Sequence, residues 1–271
     1  MVRVPNPTVY DLGMRRTFGD LYRHRWLIRE LVLRDVILRY RGSALGFIWT
    51  LLTPLLFILV YMLVFSVFLQ VGVPNYPVFL VAGLLPWQWF STALQSGTTS
   101  LVDGRIYVGK AVLAPVVLVL VPVLSNFIHF LLSLPILLAV GLIFRIHVIW
   151  PLLALPLLVV IQLLLTLAIL LFVAPFNVFY RDASQLVSVL LMLGFYLTPI
   201  IYPLSNIPSH FRLFALANPM TALVLSYQNI FYFQAFPDWR LVAYALAASL
   251  VLLVAGRAVF DRYKDTFAEY V

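Results

Sequence analysis

The residues able to do chemistry in this chain are few, and most lie in apolar surroundings. Gly104, Gly109 and Lys110 reproduce the spacing of a phosphate-cradling loop, with four residues between the glycines and lysine directly after the second. The Ser or Thr whose hydroxyl would hold Mg²⁺ is replaced by Ala111, and the loop lies between two apolar stretches rather than in a nucleotide domain. The match reads as coincidence, so no catalytic residue and no cofactor is expected on this chain, and ATP with its Mg²⁺ would belong to another. His129 stands alone in an apolar stretch and reads as a hydrogen-bonded packing residue rather than a proton relay or metal ligand; no metal site is expected. Gln88, Gln95, Asn126 and Gln162 are among the other polar groups so placed. Ion-coupled transporters usually carry a charge within the membrane, where its cost is borne only for function. Here no apolar stretch contains Asp, Glu, Lys or Arg. A membrane glycosyltransferase would want acidic residues in its first external loop, and the loop at about 71–77 has none. What remains is aromatic. Phe57, Tyr61, Phe65 and Phe68, spaced 4, 4 and 3, share one helical face. Such a face could carry a sliding sugar polymer, because rings stack on sugars without fixing their order. It could equally pack against neighbouring helices or sit in an interfacial belt.

The elements that must position these groups follow from composition. Hydrophobic residues make up 63% of the 271 and charged residues 10%. A soluble domain is about a quarter charged; this chain has too little polar surface to be wetted as a globule, and lipid must cover it. There is no cysteine, which excludes disulfides, thiolate metal sites and a Cys nucleophile, and residues 1–46 show no signal-peptide pattern. A span needs ~20 apolar residues. Six stretches qualify, at about 47–70, 78–100, 113–144, 150–174, 186–202 and 241–256. The third is long and holds Pro115, Pro122 and Pro135, so its start is expected to be a cytoplasmic helix leading into one tilted span. The predicted fold class is therefore all-α: an N-terminal segment 1–46, a six-span domain 47–256 and a tail 257–271.

Charge sets the orientation. With the N-terminus inside, 15 of the 18 basic residues fall on the cytoplasmic side, so both termini are expected there. The net charge of +8 does not point to nucleic acid, because half of the basic residues precede the first span, as a segment on an anionic membrane surface would. Within 20–42, Tyr22, Trp26, Leu33, Ile37 and Tyr40 fall on one helical face, and Arg23, Glu30, Arg34 and Arg41 on another, with Glu30 and Arg34 spaced as an i, i+4 pair. This reads as an interfacial helix, with a plain topology signal as the alternative. Residues 203–239 lie outside yet are apolar and broken by Pro203, Pro208, Pro219 and Pro237; they are expected to dip back as short helices packed on protein.

These features converge on a family. Residues 31–56, with Arg34, Asp35, Arg39, Tyr40, Arg41, Ser43, Leu45, Gly46, Trp49 and Pro54, resemble the opening signature of permeases from ABC exporters of O-antigen and teichoic-acid type. Residues 176–208, with Arg181, Asp182, Pro199 and Tyr202, match its second signature, and the Asn218–Pro219 pair its external segment. Residues 104–115, with Lys110 and Pro115, resemble its coupling loop. The resemblance implies an inner-membrane homodimer of six-span subunits working with two ATP-binding subunits, in contact with membrane lipid, and exporting an undecaprenyl-linked polysaccharide. It implies coupling through Arg34, Asp35, Arg39, Arg41, Arg105 and Lys110. It implies a sugar path over the first and fifth spans, Phe195 and Tyr196 joining the stripe, and an external gate with Tyr202, Phe211, Phe214 and Tyr227. The alternatives are a related permease for teichoic acid, capsule polymer, lipid or drug, and, from another class, a membrane-embedded glycosyltransferase.

Overall fold

Within hydrocarbon every backbone N–H and C=O must find its partner inside the chain, so apolar segments of this length become helices. The computed structural model describes residues 25–43, 45–70, 72–109, 113–145 and 150–270, and no strand occurs among them. Helix α1 (Arg25–Tyr40) leads through a short 3-10 turn into α2 (Trp49–Met62), which continues as a π-helical segment, Leu63–Phe68. Then follow α3 (Tyr76–Asp103), the short α4 (Arg105–Gly109), α5 (Pro115–Ile143) and α6 (Leu155–Phe179). Helix α7 (Ala183–Leu197) precedes two short helices, α8 (Ser209–Ala217) and α9 (Pro219–Phe231), and the chain closes with α10 (Trp239–Tyr263) and α11 (Phe267–Tyr270).

Five helical segments among the described residues are long and apolar enough to cross a membrane; the fifth predicted stretch is an apolar helix of 15 residues, only ~22 Å at 1.5 Å per residue. The third predicted stretch differs from expectation. Pro115 opens α5, Pro122 and Pro135 lie within it, and it runs as one helix of 29 residues with no separate leading piece. Asn126 Nδ2 and Ser125 Oγ both donate to Pro122 O, the back-bonding within a helix that short polar side chains make.

The core is built on α3, where 20 of 28 residues are buried. It packs against α5, α6, α7 and α9, while α6 also packs along α10. One buried amide ties two helices together: Gln162 Nε2 of α6 donates to Pro86 O of α3 at 2.8 Å. Helix α9 begins with Asn218 accepting from Met220 N and Pro219 at the first turn, a pairing suited to a helix start. It is wedged among α3, α6 and α10, whereas α8 leaves Phe211, Leu213 and Phe214 exposed.

Helix α1 packs on protein with a face other than its apolar stripe. Ile28 and Val32 are buried against Val117 of α5, whereas Trp26 and Ile37 are more than 60% exposed. The two faces lie on opposite sides, so α1 packs on protein with one and presents the other to its surroundings. Tyr22 and Arg23 lie outside the described residues. Glu30 and Arg34 do not form the expected pair; the ion pair in α1 is Asp35 with Arg39, at 3.8 Å.

Candidate functional site

A groove of about 520 Å³ runs between α2 on one side and α3, α5 and α7 on the other. Its upper wall is aromatic. Phe57 stacks on Tyr61 with ring centroids 6.2 Å apart, Tyr61 lies 6.1 Å from Phe65 and 5.7 Å from Phe195, and Phe195 lies 6.1 Å from Trp87. Phe65 continues to Tyr76 at 6.3 Å. The structure thus joins three of the four stripe residues to Phe195 in one ladder. Phe68 is left out: it is 68% exposed. The reason is the π-helical segment, where Leu69 N donates to Val64 O at 2.9 Å, a five-residue step. The wider turn rotates Phe68 away from the face a 3.6-residue period would give it. Tyr196, next to Phe195, points to another face and is exposed.

The lower wall is polar. Gln88, Ser91, Thr92 and Gln95 line it from α3, Thr50 and Thr53 from α2, Asn126 and His129 from α5. Arg39 enters from α1 and donates to Asn126 Oδ1 at 3.0 Å, while Asn126 Nδ2 donates to Ser96 Oγ at 3.1 Å. Thr50 donates to Tyr40 Oη at 2.8 Å, and the same hydroxyl lies 3.3 Å from His129 Nδ1. Gln95 is exposed in the groove, rather than buried as its apolar surroundings suggest. The spacing of Gln88, Thr92 and Gln95 was the signal for this wall: positions 4 and 3 apart on one face of a helix.

Of the six basic and acidic residues expected to act together, four fall into two places. Arg34 donates to Tyr107 Oη of α4 at 3.3 Å, and Arg105 is exposed on α4 itself. Arg39 instead turns into the groove with Asp35 beside it, so these two are not gathered with α4. Arg41 is exposed past the end of α1, and Lys110 lies outside the described residues.

The residues expected at the external gate are also divided. Phe211 and Phe214 are exposed on α8, and Tyr202 donates to Tyr196 O. Tyr227 is fully buried in the core, edge-on to Phe130 at 6.2 Å. It lies on the buried side of α9, which is wedged among α3, α6 and α10, so it packs the bundle rather than joining the exposed rings. The segment after α7 is tied down by two backbone carbonyls and a hydroxyl that the sequence does not advertise. Gln228 Nε2 donates to Pro199 O, Tyr76 Oη to Ile201 O, and Asn218 Nδ2 to Thr198 Oγ1.

Long apolar helices around a groove with polar and aromatic walls describe a multi-pass membrane protein. Residues 27–232 match the family model described as ABC-2 type transporter, and the chain belongs to that family. It is 41% identical over 260 residues to the O-antigen export system permease protein RfbA of Myxococcus xanthus, covering 95% of this chain and 100% of that protein. Two proteins of the same name from Klebsiella pneumoniae are 30% and 31% identical, each over 96% of this chain and 99% of their own length.

Proposed function

We propose that this chain is the membrane-spanning subunit of an ATP-driven exporter that carries a lipid-linked, O-antigen-like polysaccharide across the bacterial inner membrane. Two copies of it work with two copies of a separate ATP-binding subunit, which supplies ATP and Mg²⁺. Both termini are cytoplasmic, in keeping with the excess of Arg and Lys in the segments assigned inside. The carrier is undecaprenyl-linked, and its sugars pass over α2 and α7. The observation that carries this reading is the groove. Its polar wall offers hydroxyls and amides to a glycan, and its ring ladder offers repeated shallow contacts to a chain that must keep moving. Deep hydrogen bonding to every sugar would be costly to break at each step. Likeness over nearly the whole chain to O-antigen permeases supports the substrate class. The exposed rings of Phe211 and Phe214, with Tyr202, form the outer gate, and α8 and α9 are re-entrant.

Replacing Tyr61 and Phe65 together by Leu tests the path. Both substitutions keep the helix apolar and leave insertion nearly unchanged. Export of lipid-linked glycan by the reconstituted complex should fall severalfold, with the amount of folded, assembled protein unchanged. Normal export by the double variant would place the sugar path elsewhere.

A further inference from the structure

The short segment after α10 folds back onto α4. The chain turns at Lys264–Thr266, and the turn is fixed by its own contacts. Asp261 pairs with Arg257 and, at 3.6 Å, with Lys264, while Thr266 Oγ1 donates to Tyr263 O at 2.7 Å. Phe267 is then fully buried. Its ring lies 5.5 Å from Phe260 of α10 and 6.3 Å from Phe179 at the end of α6. Tyr270 lies 5.0 Å from Phe179, and Tyr263 5.5 Å. So anchored, α11 packs against both α6 and α4. Tyr107 of α4 is also bonded by Arg34 of α1. Helix α4 has five residues, far fewer than the ~12–15 a helix needs to hold itself in water. Its place is set by its neighbours: α1 through Arg34, α3 through the Gly104 turn, and α11.

We propose that Phe267 is a positioning residue for α4. Seated between Phe179 and Phe260, it holds α11 against α4, so that a push on α4 is passed to α6 and α10 instead of bending α4 alone. The inference rests on the reading that a partner ATPase drives this chain through α4.

The absence of cysteine allows a direct measurement. Ile106→Cys on α4 and Glu269→Cys on α11, both at exposed positions, take spin labels, and their separation is read on the isolated full-length permease. The parent should give a narrow distance distribution. Phe267→Ala should broaden it, and in the complex with the ATPase should lower glycan exported per ATP severalfold. Phe267→Leu, which keeps apolar bulk, should restore most of both. A distribution that stays narrow in Phe267→Ala, with export per ATP unchanged, overturns the proposal. If Phe267→Ala does not fold, the milder Phe267→Val, which still empties part of the seat between Phe179 and Phe260, is read in its place, and an unchanged distribution with unchanged export per ATP there overturns the proposal equally. The distance needs no ATPase. Failure of the ATP-driven reading would instead appear as a parent that no ATPase drives, whatever the labels report.

Discussion

Substituting Ala for Gly256 should loosen the crossing of α6 and α10, and the structure gives the size of the effect. A Cβ at Gly256 would lie 2.7 Å from the carbonyl oxygen of Ala168 and 3.0 and 3.1 Å from ring carbons of Phe172. Ordinary contact begins at 3.4 Å, so the helices must part by the 0.7 Å between 3.4 and 2.7. A backbone oxygen cannot rotate aside. Overpacking of this kind costs about 1–3 kcal/mol, against which Ala gains about 1 kcal/mol over Gly in a helix. The net loss is up to about 2 kcal/mol, or a fall of a few degrees in Tm for a chain of this size. Gly194→Ala is the matched control. Its Cβ would meet only the far edge of the Trp87 ring, at 3.0 and 3.6 Å, and that ring borders the groove and can yield. There the helix gain should win, leaving Tm at or above the parent's. Thermal unfolding in detergent, followed by tryptophan fluorescence, measures both. Gly256→Ala melting at or above the parent would refute the account of close backbone packing at this crossing.

Three further outcomes are expected. Asn126→Leu removes one of the two partners of Arg39, leaving Asp35, and loses the bonds to Ser96 and Pro122; losing a hydrogen bond to a charged group is worth about 1.5–3 kcal/mol, so Tm and export should both fall, and a variant unchanged in both would show that the polar wall is idle. Arg34→Ala removes an exposed bond to Tyr107 worth about 1 kcal/mol or less, so it should melt like the parent but export less glycan per ATP in the reconstituted complex. The purified chain without a partner should not hydrolyse ATP, and turnover that Lys110→Ala abolishes would overturn the assignment of ATP to another subunit.

Much of the bundle was legible in the sequence because hydrocarbon leaves a chain few options, and an uninterrupted apolar run becomes a helix whatever its neighbours. Side-chain placement was less legible, for reasons visible at single residues. Phe68 was assigned to the ring stripe on a 3.6-residue period, and a π-helical segment moved it. Trp26 and Ile37 were read as the stripe of an interfacial helix and are exposed, whereas the face that packs on protein, Ile28 and Val32, was not marked, because in a membrane protein lipid and protein core both accept apolar side chains, and hydrophobicity cannot tell them apart. The same ambiguity hid Tyr227, an aromatic residue in an apolar segment that packs the core instead of joining a gate. Polarity was the more informative signal. The stripe at Gln88, Thr92 and Gln95 marks the groove because polar side chains avoid lipid, and its spacing was readable from the sequence alone.

The two walls of the groove differ sharply in how firmly they are held. Helix α3 buries 20 of its 28 residues. Helix α2 buries only Thr50, Pro54 and Ile58, spaced by four along a single seam, and its π-helical extension buries none. The connections on either side of it pass through glycines in left-handed backbone, Gly46 at φ +47° and Gly72 at φ +72°, with open space where a Cβ would stand. A side chain at either position would be strained by conformation and not by crowding. One wall is therefore a fixed pillar and the other a panel on a narrow seam. Widening the groove requires separating α2 from a few small contacts, whereas α3, α5, α6 and α9 can remain packed. The exposed apolar faces of α2 and α7 must be covered by lipid or by a second copy of the chain. For the proposed exporter this division is what passage of a polymer needs: the ladder of Phe57, Tyr61 and Phe65 rides on the movable wall, and the polar stripe of α3 stays on the fixed one.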